Sequence, residues 1–178
     1  MSVEFESIVA QIRAIKPRVE ILLEEVPAPQ KLAPFSLAMT ADVLEDAATG
    51  RFVFLHDPDG QEGWSGKYRC VTFVRAAIES DVVTDDLFDE VAWSWLIDAL
   101  SESGAEYHNI SGTVTRTVSR SFAGLEDRST DTDLEIRASW SPDSADLSLQ
   151  IKGWLALVEK SSGLTPLPEG VSALSRKR

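Results

Sequence analysis

The chain has 178 residues, 43% of them hydrophobic, which is enough for one sizeable core and leaves little for a second domain. A formal charge of −12, from 29 carboxylates against 17 Lys and Arg, opposes phosphate backbones and anionic membrane surfaces, so neither nucleic acid nor a membrane is the expected partner. No apolar run nears the roughly 20 residues of a membrane helix, and residues 1–15 carry carboxylates where a secretion signal needs apolar side chains. With the single cysteine, Cys70, excluding an internal disulfide, the expectation is one cytoplasmic domain over 1–163 and an extended tail over 164–178.

Phe5, Ile8, Val9 and Ile12 recur at helical spacing behind Ser2, which predicts a helix over 3–15 ended by Pro17. The run 18–26 reads two ways: Val19, Ile21 and Leu23 alternate as a strand does, yet Ile21, Leu22 and Glu24 to Val26 also fit a kinked helix. The extended reading is preferred. Pro27, Pro29 and Pro34 make 27–34 a stiff connector. Alternation of Leu37, Met39, Ala41 and Val43 against Ser36, Thr40 and Asp42 predicts a half-buried strand over 35–44. Ala48, Thr49 and Gly50 read as a turn into a second strand, 51–56, apolar on both faces. Asp57, Pro58, Asp59 and Gly60 read as the next turn, and a third strand follows over about 67–78.

The strongest helix spans 85–103, with acidic residues at its start and Gly104 after its end. Phe88, Val91, Ala92, Trp95, Leu96 and Ala99 form one wide stripe. Trp93 lies about 200° from Trp95 at the helical advance of about 100° per residue, near Ile97 and Leu100. A second layer must cover that face, or Trp93, Ile97 and Leu100 form a dimer contact. Residues 107–122 alternate as a long strand, with Ile110, Val114 and Val118 on one side and Thr113, Thr115, Thr117 and Ser119 on the other. After a turn over 124–130, Leu134, Ile136, Ala138 and Trp140 predict a last strand stopped by Pro142. Leu147, Ile151, Trp154 and Val158 predict a final helix ending near Gly163.

Side chains suited to catalysis are sparse. His56 and His108 are the two histidines, no spacing matches a zinc site, and Cys70 reads as a buried structural thiol. Neither a metal nor a cofactor is expected. Gly60, Gly63 and Gly66 lack the Lys-Ser/Thr pair of a phosphate loop, and Asp57, Asp59 and Gln61 break the calcium-loop pattern at Pro58. His56 beside Asp57 is the one acid/base candidate, although adjacent strand residues point to opposite faces. Among the arginines, Arg69 and Arg75 share a strand face with Val71 and Phe73, and Arg116 and Arg120 share one with Val114 and Val118. Arginine among apolar side chains marks either a recognition surface or a structural ion-pair network.

The segments 24–34 (EEVPAPQKLAP), 49–58 (TGRFVFLHDP), 93–96 (WSWL) and 135–140 (EIRASW) resemble those of an uncharacterised actinobacterial family, the domain of unknown function numbered three thousand. That resemblance implies a cytoplasmic actinomycete protein and brings no activity, cofactor or site residue with it. The order helix, three strands, helix, two strands, helix is similar to the fold of the type III secretion chaperones, which implies a small acidic homodimer that holds an extended partner segment and dimerises through its middle helix. The resulting expectation is an α+β domain with an antiparallel sheet of five or six strands and helices on one face. It would act without catalysis, as a dimeric protein-binding module through Arg69, Phe73, Arg75, Arg116 and Arg120. The competing expectations are a small enzyme or ligand-binding protein with its site at His56, Asp57, Trp64 and Arg69, and a regulator acting through the tail.

Overall fold

Helical spacing of Phe5, Ile8, Val9 and Ile12 forms α1 (Val3–Arg13), and all four side chains are buried. The computed structural model describes residues 2–79, 84–165 and 167. After α1 come β1 (Ile21–Val26), β2 (Phe35–Val43), β3 (Ala48–Gln61), β4 (Gly66–Ile78), α2 (Phe88–Glu102), β5 (Tyr107–Ser119), β6 (Asp131–Pro142) and α3 (Ser148–Ser161). The six strands form one antiparallel sheet in the order β1-β2-β3-β4-β6-β5. The fold is therefore α+β, with four strands rather than three ahead of α2. The ambiguous 18–26 run supplies the extra strand, because Ile21 and Leu23 pair beside Val43 and Ala41 and continue their buried face. Most of the expected tail lies outside the described residues.

Two expected turns are strand instead. Ala48, Thr49 and Gly50 open β3, and the chain reverses earlier, through a short 3-10 turn at Leu44–Asp46 in which Glu45 and Asp46 hold positive φ. Gly50 is needed for packing rather than turning: a Cβ there would sit 2.8 Å from Val158 and 3.0 Å from Trp154, so α3 lies directly on the strand. At the other end β3 continues past Asp57 to Gln61 with an irregular register, and the reversal falls at Glu62–Trp64, where Ser65 adopts φ 54°.

Strand alternation divides the sheet into two faces. Phe52, Phe54, Cys70, Val74, Ile136 and Trp140 join α1, α2 and α3 residues in one buried cluster. Each large aliphatic side chain fully buried there contributes about 1.5–3 kcal/mol by transfer. Trp140 Nε1 donates to Gln150 Oε1 at 2.8 Å, and Gln150 Nε2 donates to the Glu106 carbonyl at 2.9 Å, so the buried Gln150 amide of α3 is bonded through both its oxygen and its nitrogen. On the opposite face Ala38, Val53 and Leu55 make a smaller cluster with Ala28, Ala33, Trp64 and Val71. The proline connector lies over that cluster, held by Ser36 Oγ to the Pro29 carbonyl and Gln61 Nε2 to the Leu32 carbonyl. It covers β2 and β3, leaving β4, β6 and β5 open.

The two-faced pattern of α2 is resolved within the chain. Leu96 and Leu100 are fully buried, and a Cβ on Gly153 of α3 would come within 2.9 Å of Leu100. Trp93 instead lies on β5, where a Cβ on Gly112 would meet its indole at 2.7 Å. Strand β5 is thus the second layer, and Leu100 has no surface left for a dimer contact. Arg116 fixes the same junction: its Nε lies 2.7 Å from Asp89 Oδ1, and the guanidinium sits 5.7 Å over the Phe88 ring.

Gly112→Ala would also place a methyl 2.2 Å from the Arg137 carbonyl oxygen, a backbone atom that cannot yield unless β5 lifts from β6. The expected destabilisation is about 1–3 kcal/mol, against a change of under about 0.5 kcal/mol for Gly124→Ala, whose added methyl meets nothing within 4 Å. Urea midpoints of the two variants check it.

Candidate binding groove on the open sheet face

Pairing register, rather than chain proximity, assembles the residues of the open face. Arg51 on β3 pairs with Phe73 on β4, Phe73 with Arg137 on β6, and Arg137 with Thr113 on β5. Two residues along, the row is Val53, Val71, Ser139 and Ser111. These two rows line a groove of about 390 Å³. The Arg137 guanidinium lies 5.5 Å over the Phe73 ring and takes one bond to Glu135 at 3.2 Å. Among the described residues Arg51 donates only to the Pro27 carbonyl, at 3.3 Å. Both cations therefore stay available to solvent.

One row further, Arg69 is 7% exposed and, among the described residues, contacts no carboxylate. Its Nη1 donates to the Asn109 carbonyl at 2.8 Å and to Ser141 Oγ at 3.0 Å, and its Nη2 donates to Ser139 Oγ at 2.7 Å. Burial pulls its pKa below the ordinary arginine value. Above it, three consecutive carbonyls of the β3–β4 reversal are held from the β5–β6 side: Gly63 by Asn109 Nδ2 at 2.9 Å, Trp64 by Ser141 Oγ at 2.5 Å and Ser65 by His108 Nε2 at 3.1 Å. An irregularity in β5 between His108 and Ser111, with Asn109 at φ 56°, turns these groups inward.

Of the arginine candidates read from sequence, Phe73 lines the groove and Arg69 lies buried beside it. Arg75 is on the same face but is paired with Asp133 at 2.7 Å. Arg116 is on the opposite face, because its register partner is the buried Leu134. Arg120 follows the end of β5 and stacks over Phe122. Arg51 and Arg137 were not singled out in the sequence. Their alternation was legible, but the register that aligns them with Phe73 was not.

The residues of the alternative site do not converge. His56 is fully buried on the helix-covered face among Tyr68, Phe35 and Phe5, at ring distances of 5.0, 5.6 and 6.4 Å, and neither ring nitrogen has a hydrogen-bond partner among the described residues. Glu4 stands 3.8 Å from its Nε2 and accepts a hydrogen bond from the Tyr68 hydroxyl. Asp57 instead accepts from the Asp59 N–H and Gln61 Nε2 on the hairpin, and Trp64 packs under the connector. Burial is the main cause that lowers the His56 pKa, with Glu4 opposing it. His108 differs: Asp143 on one ring nitrogen and the Ser65 carbonyl on the other raise its pKa, because both are acceptors that favour the protonated ring, and both ring nitrogens are engaged. Burial pushes the Cys70 thiol well up.

Among the described residues no three His, Cys, Asp or Glu side chains are grouped to hold a metal, and no helix is long and apolar enough to cross a membrane. A family model described as protein of unknown function (DUF3000) matches residues 1–172. The chain belongs to the DUF3000 family. Neither the curated proteins nor the solved structures gave a match. Membership agrees with the first resemblance and brings no activity, so the DUF3000 groove is read from its own geometry.

The two histidines tie stability to pH in opposite directions. His56, with a lowered folded pKa, contributes fully above its unfolded value of about 6.5, and its contribution is lost as pH falls below that. His108, with a raised one, contributes fully below about 6.5, and its contribution is lost as pH rises through the folded value. His56→Phe should therefore lose less stability than wild type between about pH 6.5 and 5. Asp143→Asn should shift the NMR titration of His108 downward. Unchanged curves would contradict these assignments.

Proposed function

We propose that the chain is a non-enzymatic protein-binding module whose open-face groove takes an extended, acidic segment of a partner protein bearing an apolar side chain. The observation that carries this reading is the Arg51–Phe73–Arg137 row, two solvent-available guanidinium groups on either side of an aromatic ring, in a chain of net charge −12. A carboxylate is the chemistry that planar, forked donors recognise, and Phe73 with Val71 offers the apolar contact between them. The groove crosses four strands, about 14 Å at the spacing of about 4.8 Å, which matches roughly four extended residues. The face is open to solvent and brings no nucleophile and base together, which favours recognition over catalysis.

The histidines and the cysteine support the same reading. His56 packs as a neutral ring among aromatics, His108 is a two-sided clamp, and the Cys70 thiol is inaccessible. The chaperone-like expectation survives in reduced form, as capture of an extended segment. The reading does not use a dimer through α2, whose Leu100 is fully buried and whose Trp93 is half-buried against Gly112 of β5.

Fluorescence anisotropy with a labelled five-residue probe of acidic–leucine–acidic pattern, against its lysine counterpart, tests the reading. The acidic probe should bind, more weakly as salt rises, and Arg51→Glu or Arg137→Glu should cost about tenfold or more, as for a lost bond to a charged group. Equal binding of both probes, or of neither, would contradict it.

A further inference from the structure

We infer that the end of the groove next to Arg69 is a carboxylate subsite, in which the Ser139 hydroxyl donates the hydrogen bond and the buried Arg69 guanidinium supplies the charge behind it. The inference rests on the groove reading above for the source of the carboxylate, but its geometry stands apart from the two exposed arginines.

Arg69 is more than nine-tenths buried, and each of its hydrogen-bond partners is neutral: a backbone carbonyl and two serine oxygens. A buried charge is normally held by an opposite charge, because desolvation otherwise weighs against the ionised form. The two serines lie two residues apart on the same face of β6, and both accept from the guanidinium, so each must direct its own proton elsewhere. For Ser141 that acceptor is the Trp64 carbonyl at 2.5 Å. For Ser139 no acceptor exists among the described residues, its side chain is half-buried, and its hydroxyl lines the groove. The Arg69 bond at 2.7 Å occupies one Ser139 lone pair, which leaves the O–H aimed away from the guanidinium as a polarised donor. Ser111 faces Ser139 across the β5–β6 pair and brings a second hydroxyl to the same end of the groove.

An acceptor with negative charge fits here, since it accepts the Ser139 hydrogen bond and supplies the charge that Arg69 does not find among the described residues. A neutral carbonyl would answer the hydrogen bond only. A cation would be repelled by Arg69 and by Arg137 on the adjacent row. The chemistry is that of a carboxylate, from an acidic side chain of a docked segment or from a free small acid.

The experiment is a titration of the full chain with acetate at low ionic strength, followed by nitrogen–proton NMR of the Ser139 amide and the Arg69 Nε–H. Saturable shifts of both signals in the millimolar range are expected. Ser139→Ala should weaken acetate binding about tenfold, while Arg75→Gln, which removes a positive charge from the same face outside the subsite, should leave it unchanged. Acetate bound equally by Ser139→Ala, or no saturable shift at Arg69 in the wild-type chain, would overturn the inference. The wild-type readout needs no variant to fold. Binding of the acidic probe with no acetate response at Ser139 would leave the groove reading intact and remove the subsite. Binding of acetate without the acidic probe would keep the subsite, assign it to a free small acid, and remove the protein-segment reading.

Discussion

The constraint on which the open face depends is the burial of the Arg69 guanidinium with no carboxylate beside it among the described residues. A charged fork can stay in such a place only if several acceptors converge on it, and the chain arranges three of them. Asn109 presents a carbonyl because β5 is irregular there and the residue adopts positive φ, while Ser139 and Ser141 arrive from one face of β6. The same groups then reach upward, so that Asn109, Ser141 and His108 hold the carbonyls of residues 63, 64 and 65. One buried charge thus ties β4, β5, β6 and the β3–β4 reversal into a rigid end of the sheet, and the groove begins where that end stops.

The two faces of the sheet are specialised by what covers them. On one, three helices bury aromatic and aliphatic side chains, and Gly50 and Gly112 let α3 and the Trp93 indole approach the strands closely. On the other, the proline connector closes β2 and β3 and leaves the rest to solvent. In an acidic chain this leaves Arg51, Arg69 and Arg137 within two strand rows of each other, a local reversal of the overall sign. Such a reversal selects an anionic ligand even though the molecule as a whole repels one at long range, and it accounts for an affinity that should depend on contact more than on steering.

Most elements were legible in the sequence because their periodicity reflects one-sided burial. The stripe Phe5, Ile8, Val9, Ile12 and the alternation along β2, β5 and β6 come from packing against a single layer, and such patterns translate directly into helix and strand. The errors fell where a local signal had a tertiary cause. Gly50 read as a turn because glycine usually marks one, yet it is absent a side chain to admit Trp154 and Val158. Trp93 left a covering layer and a dimer contact both open, because helix geometry shows that a second face is apolar but cannot show that β5 packs against it. The groove was half legible: Phe73 and Arg69 stood out on one strand, whereas Arg51 and Arg137 join them only through register, and Arg116 drops out because pairing with Leu134 turns it to the helices. His108 and Asp143 are 35 residues apart and meet only because β5 and β6 pair.

The most direct test of the central claim, that the open face recognises an acidic segment, is photo-crosslinking in cells of the protein's own source from position Thr113, beside Arg137, compared with a crosslinker on the exposed side of α2 at Asp98. The account expects position 113 to yield a crosslink, mapped by mass spectrometry to a segment with carboxylates around an apolar residue, and position 98 to yield none to that segment. Crosslinks to a basic segment at position 113, or capture of the partner only from position 98, would contradict it.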